Sequence, residues 1–129
     1  MKIVIAGAGA VGTHLAQMLS KENLDIVLID EQEERLAKLN NDLDIMTLVC
    51  SPTSIKGLLQ AGIENANLFI AVTPNESENL LCCMLAKQLG AQRTVARIDN
   101  YEYLSEENKK LFENAGISSL IYPEYLAEA

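Results

Sequence analysis

The chain has 129 residues, a length that fits one domain of about 100–150 residues. Hydrophobic residues make up 49% of it, enough for one core without metal or disulfide support. The formal net charge is −8, a sign that disfavours direct binding to nucleic acid or to an anionic membrane surface.

No stretch of the sequence approaches the roughly 18 apolar residues of a membrane-spanning helix, so any link to a membrane is expected to run through a partner protein. The odd set of Cys50, Cys82 and Cys83 predicts reduced thiols that serve as packing residues in a cytoplasmic protein.

Short apolar strands alternate with amphipathic helices along the whole chain. The pattern predicts strands over residues 2–6, 25–30, 45–49, 68–72, 94–98 and 117–121, and helices over 10–22, 32–41, 54–61, 76–89 and 105–115. Strands that are apolar on both faces predict a parallel sheet covered by helices on each side. The predicted fold class is α/β, a Rossmann-type doubly wound sheet of six parallel strands in the order 3-2-1-4-5-6.

The first strand leads into a glycine-rich loop, G-x-G-x-x-G, which opens the first helix. The loop consists of Gly7, Ala8, Gly9, Ala10, Val11 and Gly12. Gly7 permits the tight turn, Gly9 leaves room for a pyrophosphate, and Gly12 lets helix and strand pack closely. Unpaired amides and the positive dipole end of the helix then predict a phosphate site.

Asp30 ends the second strand, 23 positions after Gly7, where a carboxylate can accept hydrogen bonds from both hydroxyls of an adenosine ribose. Glu31 adds a second negative charge that would repel a 2′-phosphate, and Arg35 lies a full turn into the next helix. These residues favour NAD, NADH or an adenine nucleotide such as ADP or ATP over NADP. The alternative is a merely tight strand-helix turn with a solvated Asp30.

Thr73 and Asn75 follow the fourth strand, beside the point where the strand order reverses and open α/β sheets bind ligands. Their hydroxyl and amide are predicted to reach the phosphates or the distal ribose. In the alternative, Thr73 and Asn79 cap the following helix.

Several segments in order resemble one known family. Residues 58–69, LLQAGIENANLF, are similar to its L-x-x-A-G-I-x-x-A-D segment with Asn67 in place of Asp, and residues 70–79 to its I-A-x-T-x-x-D-E-x-N. Residues 96–98 and 102–103 are similar to its A-R-I/V and E-Y elements. The family is that of the potassium-conductance-regulating (RCK or KTN) domains of Trk and Ktr potassium uptake systems, and the N-terminal domain of the peripheral Trk subunit is the most similar of these.

The resemblance implies further site residues. Cys50 and Ser51 stand where the family commonly has Gly-Asp near the adenine, and Thr53 is counted with them as cofactor-binding. Arg97 should face the ligand or a neighbouring subunit's site, an internal salt bridge being the alternative.

The resemblance also implies the organisation and partners of the protein. Residues 1–122 form the nucleotide-binding domain, and 123–129 begin a crossover helix that is cut short. Full-length proteins should assemble through dimers of these domains and bind a membrane potassium transporter, which would hold this cytoplasmic protein at the inner membrane.

Two classes of function remain open from the sequence. In the first, nucleotide occupancy regulates potassium uptake without chemistry. In the second, the chain is the cofactor domain of an NAD-dependent dehydrogenase that lacks its substrate domain. No catalytic or metal-binding set is predicted, because His14 is the only histidine and no acid-base pair stands beside it.

Overall fold

The computed structural model describes residues 1–39 and 43–123, in which six parallel strands form one sheet. The strands are β1 Lys2–Ala6, β2 Asp25–Asp30, β3 Ile45–Val49, β4 Leu68–Ala71, β5 Arg93–Arg97 and β6 Ser119–Ile121. The helices are α1 Ala10–Ser20, α2 Glu33–Ala37, α3 Ile55–Gln60, α4 Glu76–Leu89 and α5 Glu106–Asn114. The strand order β3-β2-β1-β4-β5-β6 confirms the predicted Rossmann topology.

The strand order reverses at β1. This strand pairs in parallel with β2 on one side and with β4 on the other. Ala6, the last residue of β1, therefore lies beside both Ile29 and Ala71. The loops that leave β1 and β4 must diverge to opposite faces, because their helices cover opposite faces. A crevice opens between them, and the glycine loop forms one wall of it.

Two apolar layers hold the sheet, one on each face. Alternate residues of a strand point to opposite faces, so Ile3 and Ile5 pack towards α1 and α2 while Val4 packs towards α3 and α4. Phe69, the largest fully buried side chain, lies in the α3 and α4 layer. Each large side chain buried in this way contributes about 1.5–3 kcal/mol.

Helices cover both faces of the sheet, as predicted, but the edge strand β3 is less covered than the strands inside the sheet. Met46 is 63% exposed, and Thr47 and Val49 are exposed as well. Met46 lies on the α3 and α4 face, because its strand partner Val27 packs in that layer. Thr47 and Val49 lie on the opposite face, which α2 covers only in part because it spans Glu33–Ala37 instead of the predicted 32–41. Residues 40 and 41 of that prediction lie outside the described residues.

Other boundaries differ from prediction by one or two residues. The helix predicted over 10–22 ends at Ser20, since Asn23 has a φ of 56° and turns the chain into β2. The strands predicted over 68–72, 94–98 and 117–121 are shorter or shifted, and the helices predicted over 54–61 and 105–115 lose their terminal residues to caps. Two short 3₁₀ helices, Ile63–Asn65 and Tyr101–Leu104, were not predicted.

In the described part of the chain, none of the helices has both the length and the apolar character that crossing a membrane requires. Cys50, Cys82 and Cys83 are free thiols, and the last two are buried. Residues 124–129, predicted to begin the crossover helix, lie outside the described residues.

Candidate functional site

The glycine loop is held against β2 and β4 by contacts that only glycine allows. Gly7 has a φ of +113°, its N–H donates to the Ile29 carbonyl at 2.9 Å, and a Cβ there would lie 3.0 Å from the Thr73 nitrogen. A Cβ at Gly12 would collide with the Gly7 carbonyl oxygen. These two glycines are therefore required by the fold itself.

Gly9 differs from Gly7 and Gly12, because the fold does not require it. It is the N-cap of α1 with a φ of −77°, which any residue can adopt, and a Cβ there would meet nothing within 4 Å. No side chain caps α1, and its first turn carries no acidic residue. The positive end of α1 therefore faces open space, as a phosphate site requires.

The carboxylate of Asp30 organises the loop as well as facing the crevice. It is 4% exposed; Oδ2 accepts from the Ala8 N–H at 2.8 Å, and Oδ1 accepts from the Gln32 N–H at 2.7 Å. The Arg35 guanidinium approaches Oδ2 at 3.6 Å. Each carboxylate oxygen has two acceptor positions, so each can also receive a ribose hydroxyl. Sequence reasoning missed the bond to Ala8, which joins residues 22 positions apart.

A narrow cleft beside Asp30 brings together residues from three separate stretches of the chain. It is lined by Asp30, Glu31, Arg35, Pro52, Thr73, Pro74 and Glu78. Burial first, then the charges of Glu31 and Asp30, raise the pKa of Glu78. Sequence reasoning did not place Pro52 or Glu78 in this cleft, because a linear pattern does not report which distant residues line one cleft.

Thr73 is tied into the fold by the side chain of Asn79, which is 1% exposed. The Asn79 Oδ1 accepts from the Thr73 N–H at 3.0 Å and from its hydroxyl at 2.7 Å. The Asn79 Nδ2 donates to the carbonyls of Thr73 at 2.9 Å and of Arg97 at 3.0 Å. Asn79 thus locks the carboxyl ends of β4 and β5 to α4.

The helix cap of α4 is Asn75, whose Oδ1 accepts from the Glu78 N–H at 3.0 Å. The predicted capping by Thr73 and Asn79 is therefore wrong in its residues, since Asn79 lies inside the helix. Contact of Thr73 and Asn75 with a ligand stays a prediction.

Cys50, Ser51 and Thr53 form the turn after β3. The Cys50 N–H donates to the Asp30 carbonyl at 3.0 Å, and the hydroxyls of Ser51 and Thr53 lie 3.0 Å apart. The Cys50 side chain packs in the core layer beside α3, and burial raises the pKa of its thiol, which favours the neutral form. The hydroxyls of Ser51 and Thr53 are the polar groups that this turn can offer a ligand.

Arg97 lies in a different cleft from Asp30. This second cleft, of about 490 Å³, runs along α1 and is almost entirely apolar. It is lined by Ala10, Val11, His14, Leu15, Met18, Val72, Arg97, Ile121 and Pro123. Predicted site residues thus lie in separate clefts, with Asp30, Glu31 and Thr73 in the first and Ala10, Val11 and Arg97 in the second.

A third depression, of about 360 Å³, lies over the outer side of the glycine loop. It is lined by Ala8, Gly9, Ala10, Thr13, His14, Gln17, Arg35 and Lys38. Arg35 borders both this depression and the Asp30 cleft, so an anion at Gly9 would have a cation nearby.

Known proteins are similar to this chain in sequence and in fold. The Trk system potassium uptake protein TrkA of Haemophilus influenzae is 43% identical over 129 residues, which cover 98% of this chain and 28% of that protein. A TrkA homolog of Methanothermobacter thermautotrophicus is 35% identical over 127 residues, which cover 98% of this chain and 56% of the relative. The chain therefore spans between about a quarter and about half of the length of these relatives.

Two solved structures have the same fold. The TrkA-N domain of the inner membrane protein ybaL from Escherichia coli superposes with a TM-score of 0.80 at 17% identity, covering 98% of this chain and 90% of that one. The GsuK RCK domain superposes with a TM-score of 0.70 at 29% identity, covering 94% of this chain and 25% of that one. Residues 3–123 match the model of the TrkA-N domain family, and the chain belongs to that family.

Proposed function

We propose that this chain is a nucleotide-sensing regulatory domain that controls a membrane potassium uptake transporter. The observation that carries the proposal is the geometry of Asp30, which holds the glycine loop through Ala8 and also lines the narrow cleft beside the loop. Gly9, in front of the uncapped start of α1, adds open space for a pyrophosphate. The two features together match an adenosine ribose and its phosphates.

The ligand of this proposal is NAD or NADH, with ADP and ATP as alternatives that share the same adenosine ribose. A GsuK channel has been solved bound to NAD, and GsuK has also been solved bound to ADP. Those structures are 18% and 17% identical to this chain, so the ligand is proposed here from the loop and Asp30, and the likeness supports the fold that holds them.

The partner of this proposal is a Trk-type potassium transporter, as the printed names of the relatives suggest. The full-length protein would lie in the cytoplasm, attached to the inner membrane through the transporter, and would assemble through dimers of these domains. Regulation requires only that a ligand bind two conformations of the assembly with different affinities. The two binding free energies typically differ by about 1–3 kcal/mol.

The alternative function, a dehydrogenase cofactor domain, needs a proton donor beside the nicotinamide. The only histidine, His14, is exposed on α1 and faces the apolar cleft and the depression over the loop. A sensor needs no such donor, and this favours regulation over hydride transfer.

A thermal-shift experiment on residues 1–129 tests the binding proposal. NAD, NADH, ADP and ATP at saturation should raise the melting temperature, since a ligand at 100 times its Kd stabilises by about 2.7 kcal/mol. Ribose 5-phosphate serves as a control without adenine. An unchanged melting temperature with all four nucleotides would remove the nucleotide site from the proposal.

A second experiment tests the partner. The full-length protein should change its association with a Trk-type transporter in detergent or nanodiscs when NADH is exchanged for NAD or ADP. Association that is the same with every nucleotide and without any would contradict the regulatory proposal even if the domain binds nucleotide.

A further inference from the structure

The side chain of Glu78 lies across the narrow cleft from Asp30 and Glu31. Glu78 is in the first turn of α4, whereas Asp30 and Glu31 end β2, so the acidic groups come from two elements that are far apart in sequence. The cleft lining includes all three carboxylates. Glu78 is therefore part of the wall that a ribose bound to Asp30 would face.

The carboxylate of Glu78 is left in this position by an incomplete capping box. In that motif the third helical residue, when Glu, accepts a hydrogen bond from the N–H of the capping residue. Asn75 does accept from the Glu78 N–H, but the Asn75 N–H lies 3.2 Å from the Thr73 hydroxyl and donates to it. Because the Asn75 N–H already donates to Thr73, the Glu78 carboxylate does not accept the hydrogen bond that would hold it against the start of α4.

The charges around Glu78 are unbalanced. Glu31 and Asp30 face it from β2, and their charges disfavour ionised Glu78. Arg35 from α2 is the cation of the cleft lining, and it lies 3.6 Å from the Asp30 carboxylate, with which it is paired. The wall formed by Glu31 and Glu78 therefore repels additional negative charge.

We propose that Glu78 is a specificity-determining residue of the nucleotide site, and that with Glu31 it excludes adenosine nucleotides that carry a 2′-phosphate. This inference rests on the proposed function, because it needs Asp30 to bind the ribose hydroxyls. A ribose held by Asp30 presents its 2′ position to this wall, and a 2′-phosphate would add about 1.5 to 2 negative charges there. NADH and ADP leave a neutral hydroxyl at the same position.

Calorimetric titration of NADH and NADPH into residues 1–129 tests the inference through the ratio of the two affinities. The wild-type chain should bind NADH more tightly. Glu78→Gln, which removes the charge and keeps the shape, should narrow the NADH preference about three- to tenfold at low ionic strength, and Glu78→Lys should narrow it further. The effect should shrink at high salt, as screening requires.

Glu64→Gln is the matched control. It makes the same change in net charge on the exposed 3₁₀ helix that precedes β4, at the opposite edge of the sheet, and should leave the ratio unchanged. Equal wild-type affinities for NADH and NADPH would overturn the role of Glu78 and leave the proposed function standing. An affinity ratio that Glu78→Gln changes no more than Glu64→Gln does would have the same meaning. Failure of the wild-type chain to bind either nucleotide would overturn this inference together with the proposed function.

Discussion

Asp30 at the end of β2 and Ala8 in the glycine loop are joined by a hydrogen bond of 2.8 Å from the Ala8 N–H to the Asp30 Oδ2. One carboxylate therefore fixes the loop that is proposed to hold the phosphates and also lines the cleft in which the ribose is proposed to bind. A ligand that bonds to Asp30 acts on the loop through the same group, so the two halves of the candidate site cannot vary independently.

Replacing Asp30 should affect both binding and stability. Loss of charge-assisted hydrogen bonds worth about 1.5–3 kcal/mol should weaken NADH or ADP binding roughly ten- to a hundredfold in Asp30→Ala. Without ligand, the free energy of unfolding of the same variant should be about 1–3 kcal/mol lower, because the buried Ala8 N–H loses its acceptor. Calorimetry and urea unfolding measure the two effects.

Asp25→Ala is the control for this prediction, since Asp25 is an exposed aspartate at the other end of the same strand. It should change neither quantity appreciably. Unchanged nucleotide affinity in Asp30→Ala would place the ribose elsewhere.

The glycines of the loop should separate binding from folding. Gly9→Val should fold, because a Cβ at this position meets open space and the backbone is extended, yet NADH should no longer raise its melting temperature. Gly12→Ala should instead destabilise the domain severely through its collision with the Gly7 carbonyl. If Gly9→Val is still stabilised by saturating NADH, the phosphates do not bind at the start of α1.

Much of this architecture follows from local patterns. The apolar blocks Ile3-Val4-Ile5 and Ile26-Val27-Leu28-Ile29 are strands because both faces of the central sheet are buried, and that burial leaves a continuous hydrophobic run in the sequence. The spacing of Gly7 and Gly12 predicted the tight turn and the close packing between β1 and α1 as well, whereas ligand binding at Gly9 and Asp30 stays a prediction. Fixed backbone geometry imposes such spacings on a chain.

The parts that sequence reasoning missed depend on contacts between distant residues. Glu78 and Asp30 line the same cleft although β1 separates β2 from β4 in the sheet. Asn79, predicted to cap α4, is instead buried and donates to the carbonyls of Thr73, which follows β4, and of Arg97, which ends β5. Arg97 is predicted from the sequence to bind the cofactor together with Asp30, and in the structure it lines the apolar cleft along α1 instead of the Asp30 cleft. Residue type at one position carries no record of such neighbours.

Asn79 should contribute more to stability than the neighbouring cap. Asn79→Leu keeps the approximate size of the side chain but removes four hydrogen bonds and leaves the buried Thr73 N–H without its acceptor. The free energy of unfolding should fall by at least about 2 kcal/mol. Asn75→Ala removes only the helix cap, at about 1 kcal/mol. Urea unfolding of both variants checks the order, and an Asn79→Leu variant as stable as Asn75→Ala would contradict it.

The raised pKa of Glu78 predicts how its contribution to stability depends on pH. A carboxyl whose pKa is higher in the folded chain binds its proton more tightly there, so its contribution is fully present below the ordinary glutamate pKa and is lost as pH rises through the raised value. Glu78→Gln should therefore melt higher than wild type at about pH 7.5, and the difference should disappear near pH 4. Glu64→Gln controls for net charge alone. A difference that grows as the pH falls would have the wrong sign.

The last prediction is that the domain binds NADH without oxidising it. Hydride transfer needs a carbonyl substrate held against the nicotinamide and a positioned proton donor, commonly His, Lys or Tyr. A dinucleotide that runs from Asp30 past the start of α1 would reach the cleft of Arg97, whose lining is apolar apart from Arg97 and the exposed His14. Tyr101 is also exposed and follows β5 outside this lining. NADH incubated with the chain and a panel of aldehydes, ketones and 2-oxo acids should therefore keep its absorbance at about 340 nm, with His14→Ala behaving identically. Protein-dependent loss of NADH at about one turnover per second or faster, abolished in His14→Ala, would favour the dehydrogenase over the sensor.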